Sequence, residues 1–154
     1  MRLTSLDGCF VELAVAGYQF AGLASRPGEF DWDANWLMVR GDVRDGSTAW
    51  TFFDPCLTTA EADGLASWLR GLGDFAVTGG ASDFGDRRLE FTEPNLAFAV
   101  REASKGVVTL DVRFDLESRP AGSGGGRRHV VRLRIPVPDI AAAAVSWERD
   151  VARF

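Results

Sequence analysis

Histidine, lysine and cysteine are nearly absent from this chain of 154 residues, which has one histidine (His129), one lysine (Lys105) and two cysteines (Cys9 and Cys56). A single imidazole leaves general-base catalysis one candidate, and no motif around Cys9, Cys56 or any serine resembles a nucleophile elbow. His129 therefore reads as a surface or strand-edge residue. A zinc site would need carboxylates beside these three side chains. The thiols, flanked by Phe10 and Leu57, read as small buried hydrophobes in a reducing compartment. No cofactor is expected. Long apolar runs are also missing: Ile140 to Val145 falls far short of the roughly 20 residues that cross a bilayer. The opening Met-Arg-Leu-Thr-Ser-Leu-Asp-Gly has no apolar core followed by a small-residue cleavage site, so a cytoplasmic protein without membrane contact is expected.

What is present is an ordinary globular composition, 46% hydrophobic and 25% charged. The length suits one domain, taken as residues 1–154, which can fold without disulfides. The net charge of −5 is unevenly spread. Residues 1–64 carry ten acids and four bases, whereas residues 65–154 carry twelve acids and thirteen bases. An acidic first part attracts a basic partner and repels phosphate.

Hydrophobic periodicity organises the chain into strands and two helices. Cys9 to Phe20 reads as a strand, Ala21 to Glu29 as a loop, and Trp36–Asp45 with Thr48–Asp54 as a hairpin turning at Asp45-Gly46. Trp36, Trp50, Phe52 and Phe53 would make this hairpin the heaviest part of the core. Thr58-Thr59-Ala60-Glu61 fits a capping box opening a helix with Leu65, Trp68, Leu69 and Leu72 on one stripe, closed by Gly71 or Gly73. Thr78 to Asp86 reads as a loop. Strands follow at Arg88–Phe91, Asn95–Glu102, Val107–Glu117 and His129–Ile135, with a glycine-rich tip at 121–126. Pro138-Asp139 starts a second helix, with Ile140, Ala144, Trp147, Val151 and Phe154 at helical spacing. Strands followed directly by strands exclude a parallel doubly wound sheet. The expectation is α+β: a mostly antiparallel sheet of about six to seven strands, with one central and one C-terminal helix packed on one face.

Three constellations invite a chemical reading. Asp31-Trp32-Asp33-Ala34-Asn35 opens like an EF-hand loop with Asp42 at the twelfth position, but the sixth position, where the turn needs glycine, is Trp36. The glycines at 122–126 lack a following Lys-Ser/Thr and a helix, so they form no phosphate cradle. Arg119, Arg127, Arg128, Arg132 and Arg134 make one basic cluster. Asp111, Asp115 and Glu117 on the preceding strand offer it cross-strand ion pairs, which leaves nucleic-acid binding the lesser reading.

Several strings together resemble one family: Gly17-Tyr18-Gln19-Phe20, Asp33-Ala34-Asn35-Trp36-Leu37, Trp50-Thr51-Phe52-Phe53-Asp54-Pro55-Cys56-Leu57-Thr58, Phe91-Thr92-Glu93-Pro94-Asn95-Leu96-Ala97-Phe98, and the alanine-rich closing helix with Trp147. They resemble the WapI-like immunity proteins of bacteria. The resemblance implies a small cytosolic protein, not an enzyme, that binds a cognate protein toxin, typically the nuclease end of a polymorphic toxin, and blocks it. It supplies no catalytic residue. Between Glu29 and Asp54 stand six acids, Glu29, Asp31, Asp33, Asp42, Asp45 and Asp54, against two bases, Arg40 and Arg44. This loop and hairpin form the expected partner face, since an acidic inhibitor is steered onto the basic surface of a nuclease. The competing expectation is a small-ligand-binding or enzymatic domain with a pocket between sheet and helices.

Overall fold

The computed structural model describes residues 1–20, 33–78, 87–122 and 128–154. Within them the chain is α+β, with two helices and two four-stranded antiparallel sheets. The first sheet is formed by β1 (Arg2–Thr4), β2 (Phe10–Tyr18), β3 (Trp36–Asp45) and β4 (Thr48–Thr58), each bonded to the next. Helix α1 (Thr59–Thr78) follows it. The second sheet repeats the order with β5 (Arg88–Glu90), β6 (Leu96–Ser104), β7 (Val107–Phe114) and β8 (His129–Pro136), and α2 (Val137–Val151) closes it. The strands thus number eight, and they divide into two sheets.

Strand alternation decides which side chains enter the core. On β3, Leu37, Val39 and Val43 are buried while Arg40, Asp42 and Arg44 are exposed; on β7, Val108, Leu110, Val112 and Phe114 are buried. Both sheets and both helices contribute to one hydrophobic cluster, which includes Leu65, Leu69 and Leu72 of α1 and Ile140, Ala144 and Trp147 of α2. Trp147 is fully buried, and its indole N–H donates to the carbonyl of Ala62 at 2.8 Å, which ties the helices together. The sheets also meet directly. The amide of Leu6 donates to the carbonyl of Arg134, the amide of Arg134 donates to Ser5 Oγ, and Trp50 packs edge-on against Phe114 at 5.3 Å between centroids.

Several expectations change in detail. Phe53 stands 55% exposed, because the two-residue period that buries Phe52 turns its neighbour outward. Trp50 is half-buried, and the largest fully buried side chains are Trp147, Phe98 and Phe114, so the centre of the core lies away from the first hairpin. Asp54-Pro55 does not end β4. The strand runs to Thr58 through an irregularity opposite Leu37 and Met38, and a proline is tolerated there because β4 is an edge strand. The capping box forms as read: the amide of Thr58 donates to Glu61 Oε2 at 2.8 Å and the amide of Glu61 to Thr58 Oγ1 at 3.3 Å. Gly71 and Gly73 do not close α1. Gly73 is buried, and a Cβ built there would stand 3.9 Å from that of Ala141, so packing against α2 outweighs the weak helix propensity of glycine. The β7 alternation ends at Phe114; Leu116–Ser118 is a 3-10 turn, and Leu116 is exposed. Phe154, the last residue of the second apolar stripe, lies beyond α2 and is also exposed. Thr78, read as the first residue of a loop to Asp86, still belongs to α1; the rest of that loop and the loop read at 21–29 lie outside the described residues.

Candidate interaction faces

Of the six acids expected to form one partner face, Asp42 and Asp54 lie on opposite sides of the first sheet. Glu29 and Asp31 lie outside the described residues. Asp33 begins the 3-10 turn Asp33–Asn35 that leads into β3. Asp42 is exposed in the middle of β3, opposite Glu12 of β2 and Thr51 of β4. Its place inside a ten-residue strand separates it from any calcium-loop geometry. Asp45 sits at the hairpin tip with its Oδ2 3.0 Å from Nε2 of His129, and the imidazole meets Trp50 edge-on at 4.9 Å. That contact holds the hairpin against the second sheet. Asp54 lies on the other side of the first sheet from Asp42, since it is in register with buried Val39. Burial raises its carboxyl above the ordinary range, and the charge of Glu117 adds to the effect.

Register defines the face that Asp42 does occupy. Arg2, Glu12, Asp42 and Thr51 form one row across the outer side of the first sheet. A neighbouring row has Thr4, Phe10, Arg44 and Ala49, and another has Ala14, Arg40 and Phe53. The guanidinium of Arg2 lies 3.8 Å over the Phe10 ring and also accepts the company of Glu12, with Nη1 donating to Oε2 at 3.1 Å. Arg2, Arg40 and Arg44 thus alternate with Glu12 and Asp42 around exposed aromatic surface. The sequence-level acidity becomes a mixed field on this face, because acids such as Asp7 and Glu61 are used locally. Asp7 accepts from the amide of Cys9, while Glu61 caps α1 and accepts from the amide of Thr92 at 2.7 Å.

Two arginines of the basic cluster, Arg132 and Arg128, meet carboxylates of the preceding segment, whereas Arg119 donates from Nε to the carbonyl of Leu116 and Arg134 is in register with Thr109. Asp111 is in register with Arg132 and receives its Nε at 2.7 Å and Nη2 at 3.2 Å. The sequence reading missed Arg101, whose Nε reaches the same carboxylate at 2.6 Å from the other neighbouring strand. Asp111 is only 4% exposed. Burial opposes its charge, but hydrogen bonds and charges from Arg132 and Arg101 outweigh burial and hold the carboxyl below the ordinary range. Arg128 Nε stands 3.3 Å from Asp115.

Little here has the form of a reaction centre. Cys56 is buried, and desolvation, helped by Asp54, Glu117 and Glu93, pushes its thiol up to about 12. It therefore stays protonated and packs as a small apolar side chain. Cys9 is half-buried, and its sulfur receives the amide of Gly46 at 3.3 Å. Among the described residues no group of three or more His, Cys, Asp or Glu side chains is placed to hold a metal ion, and no helix is long and apolar enough to cross a membrane.

Two sheets that turn charged and aromatic side chains outward over a filled core suit a protein that works by contact. Residues 2–154 match the family model described as the Immunity protein WapI-like family. The chain belongs to the WapI-like immunity family. The match takes in both sheets and both helices, so the family pattern describes the whole fold rather than one half of it. No curated protein and no solved structure matches the chain.

Proposed function

We propose that this WapI-like immunity protein neutralises a cognate toxin domain by direct binding in the cytosol, with no chemistry of its own. Immunity-family membership across the chain supports the toxin-neutralising role. The observation that carries the contact reading is Phe53, a large apolar side chain 55% exposed on the outer side of the first sheet. Aromatic and arginine side chains concentrate the binding energy of protein interfaces, and Phe53 lies in register with Arg40, one row from Asp42. Asp42 and Glu12 then supply the negative charge that meets a basic toxin surface, such as the substrate groove of a nuclease. Asp45 and Asp54 serve the fold more than the contact in this reading.

The competing reading, a ligand or enzymatic domain with a pocket between sheet and helices, has less behind it. That space is occupied by Trp147, Phe98, Phe114 and the leucines of α1.

The test is co-expression with the toxin-like protein encoded beside it, scored by survival and by co-purification. Protection and a stable complex are expected, and Phe53→Ala together with Asp42→Lys should weaken the complex at least tenfold. A folded protein that neither protects nor co-purifies overturns the proposal. A complex unaffected by the double substitution overturns the assignment of this face.

A further inference from the structure

The outer side of the second sheet has a different shape from that of the first. Its central positions are alanines: Ala97 is in register with Glu90 of β5 and Arg113 of β7, and Ala99 with Arg88 and Asp111. Two methyl groups flanked by long side chains leave a basin of about 240 Å³. Its rim has Arg88, Arg101, Arg113 and Arg128 against Glu90 and Asp111, an excess of two positive charges.

Three of the four arginines are held in place by the acids they meet. Arg101 uses its Nε on Asp111, Arg128 has its Nε beside Asp115, and Arg113 donates from Nη1 to Glu90 at 3.3 Å. A guanidinium has five N–H donors in a fixed fork, so these contacts fix the heads and leave donors for a further acceptor. Arg113 shows the shortfall most clearly. Its side chain is 22% exposed, and its Nε is buried with no hydrogen-bond partner, Asp115 Oδ2 standing 3.7 Å away. A buried N–H without an acceptor is costly, and an incoming oxygen that completes it is favoured accordingly.

We propose that the basin over Ala97 and Ala99 is a second docking site, which takes the carboxylate side chains of an acidic segment of a partner protein through Arg88, Arg101, Arg113 and Arg128. Charge complementarity selects the acidic partner, and the size of the basin selects side chains. Its volume fits one or two carboxylate groups, and Glu90 and Asp111 within the rim repel a continuous run of phosphates. A nucleic-acid strand calls instead for an unbroken basic groove with stacking aromatics. The site lies on the opposite sheet from Phe53 and stands independently of the toxin-neutralising reading.

Titration of the isotope-labelled full chain with hexaglutamate, followed by amide and arginine Nε–H resonances, tests the proposal. The expected result is saturable shifts at Ala97, Ala99 and the Arg113 Nε–H, weakening as salt rises. Arg88→Glu with Arg128→Glu should weaken binding at least tenfold. If that pair fails to fold, Arg88→Glu alone is the readout, because Arg88 is exposed and has no ion pair among the described residues. Absence of saturable shifts, or shifts unchanged by charge reversal, overturns the site. A ten-nucleotide single-stranded RNA that binds the basin more tightly than hexaglutamate overturns the acidic-protein partner.

Discussion

The two sheets follow one plan and present different surfaces. Each begins with a three-residue strand, continues as an antiparallel meander of three longer strands, and ends in a helix; the second strand of each has an irregular register with the third, at Val15 to Gly17 and at Val100 to Glu102. Their inner sides are interchangeable in kind, both rows of branched aliphatics and phenylalanine buried in one core. Their outer sides are not. The first shows Phe53 and Phe10 among alternating arginines and carboxylates, whereas the second has alanines at its centre and arginines pinned around them. Burial constrains the inward positions to apolar residues of the right volume, and alternation leaves every second residue under a looser constraint. Whatever distinguishes the two halves in function is therefore written on the outward residues.

The largest test of the comparison addresses the core that both halves share. Trp147→Ala should cost about 3–5 kcal/mol, through the cavity and the lost bond to the Ala62 carbonyl. Urea unfolding followed by far-UV dichroism should still show one transition, at lower urea. Two separated transitions would mean that the halves do not depend on one core. Gly41→Ala probes the first sheet alone: a Cβ there would lie 1.9 Å from Cε1 of Phe52, so displacement of the ring should cost about 1–3 kcal/mol. A neutral result by thermal denaturation would show that the Phe52 ring has room to move.

Asp111→Asn probes the outer side of the second sheet and should cost about 1 kcal/mol at neutral pH, the exposure of both arginines reducing the effect. The folded protein holds this carboxyl below its unfolded value, so the contribution is complete above about pH 4 and disappears as pH falls through the lowered folded value. The difference in stability between wild type and variant should therefore close in acid. A difference that persists at low pH would assign the effect to packing. The smallest effect on stability belongs to Phe53→Ser, within about 0.5 kcal/mol, since the ring is mostly in solvent. If it destabilises like a core substitution, the first face is structural and the contrast with the second face fails.

Legibility in the sequence followed the range of the interaction. The β3–β4 hairpin, the capping box at Thr58 and Glu61, and the pairing of Asp111 with Arg132 were readable because each rests on local chemistry or on the period of a single strand. The second partner of that carboxylate, Arg101, was not, since it comes from the neighbouring strand across a register that the sequence does not state. Asp42, Asp45 and Asp54 part from one another for a related reason. Counting acids along the chain ignores that Asp42 and Asp54 face opposite ways and that Asp45 is engaged by His129. Phe53 was counted with the core because its neighbours are aromatic, although strict alternation from Phe52 would have turned it outward.

By itself the sequence determined the class of fold and the family, because hydrophobic period, turn chemistry and motif order are properties of neighbouring residues. It also determined the inner face of β7, where clean alternation puts Val108, Leu110, Val112 and Phe114 on one side. Only the tertiary structure decided that eight strands divide into two sheets over one core, and which outward residues gather. Arg88, Arg101 and Arg113 come from three different strands and Arg128 from the residue that precedes β8, and the basin they frame over Ala97 and Ala99 exists only once registers between those strands are set.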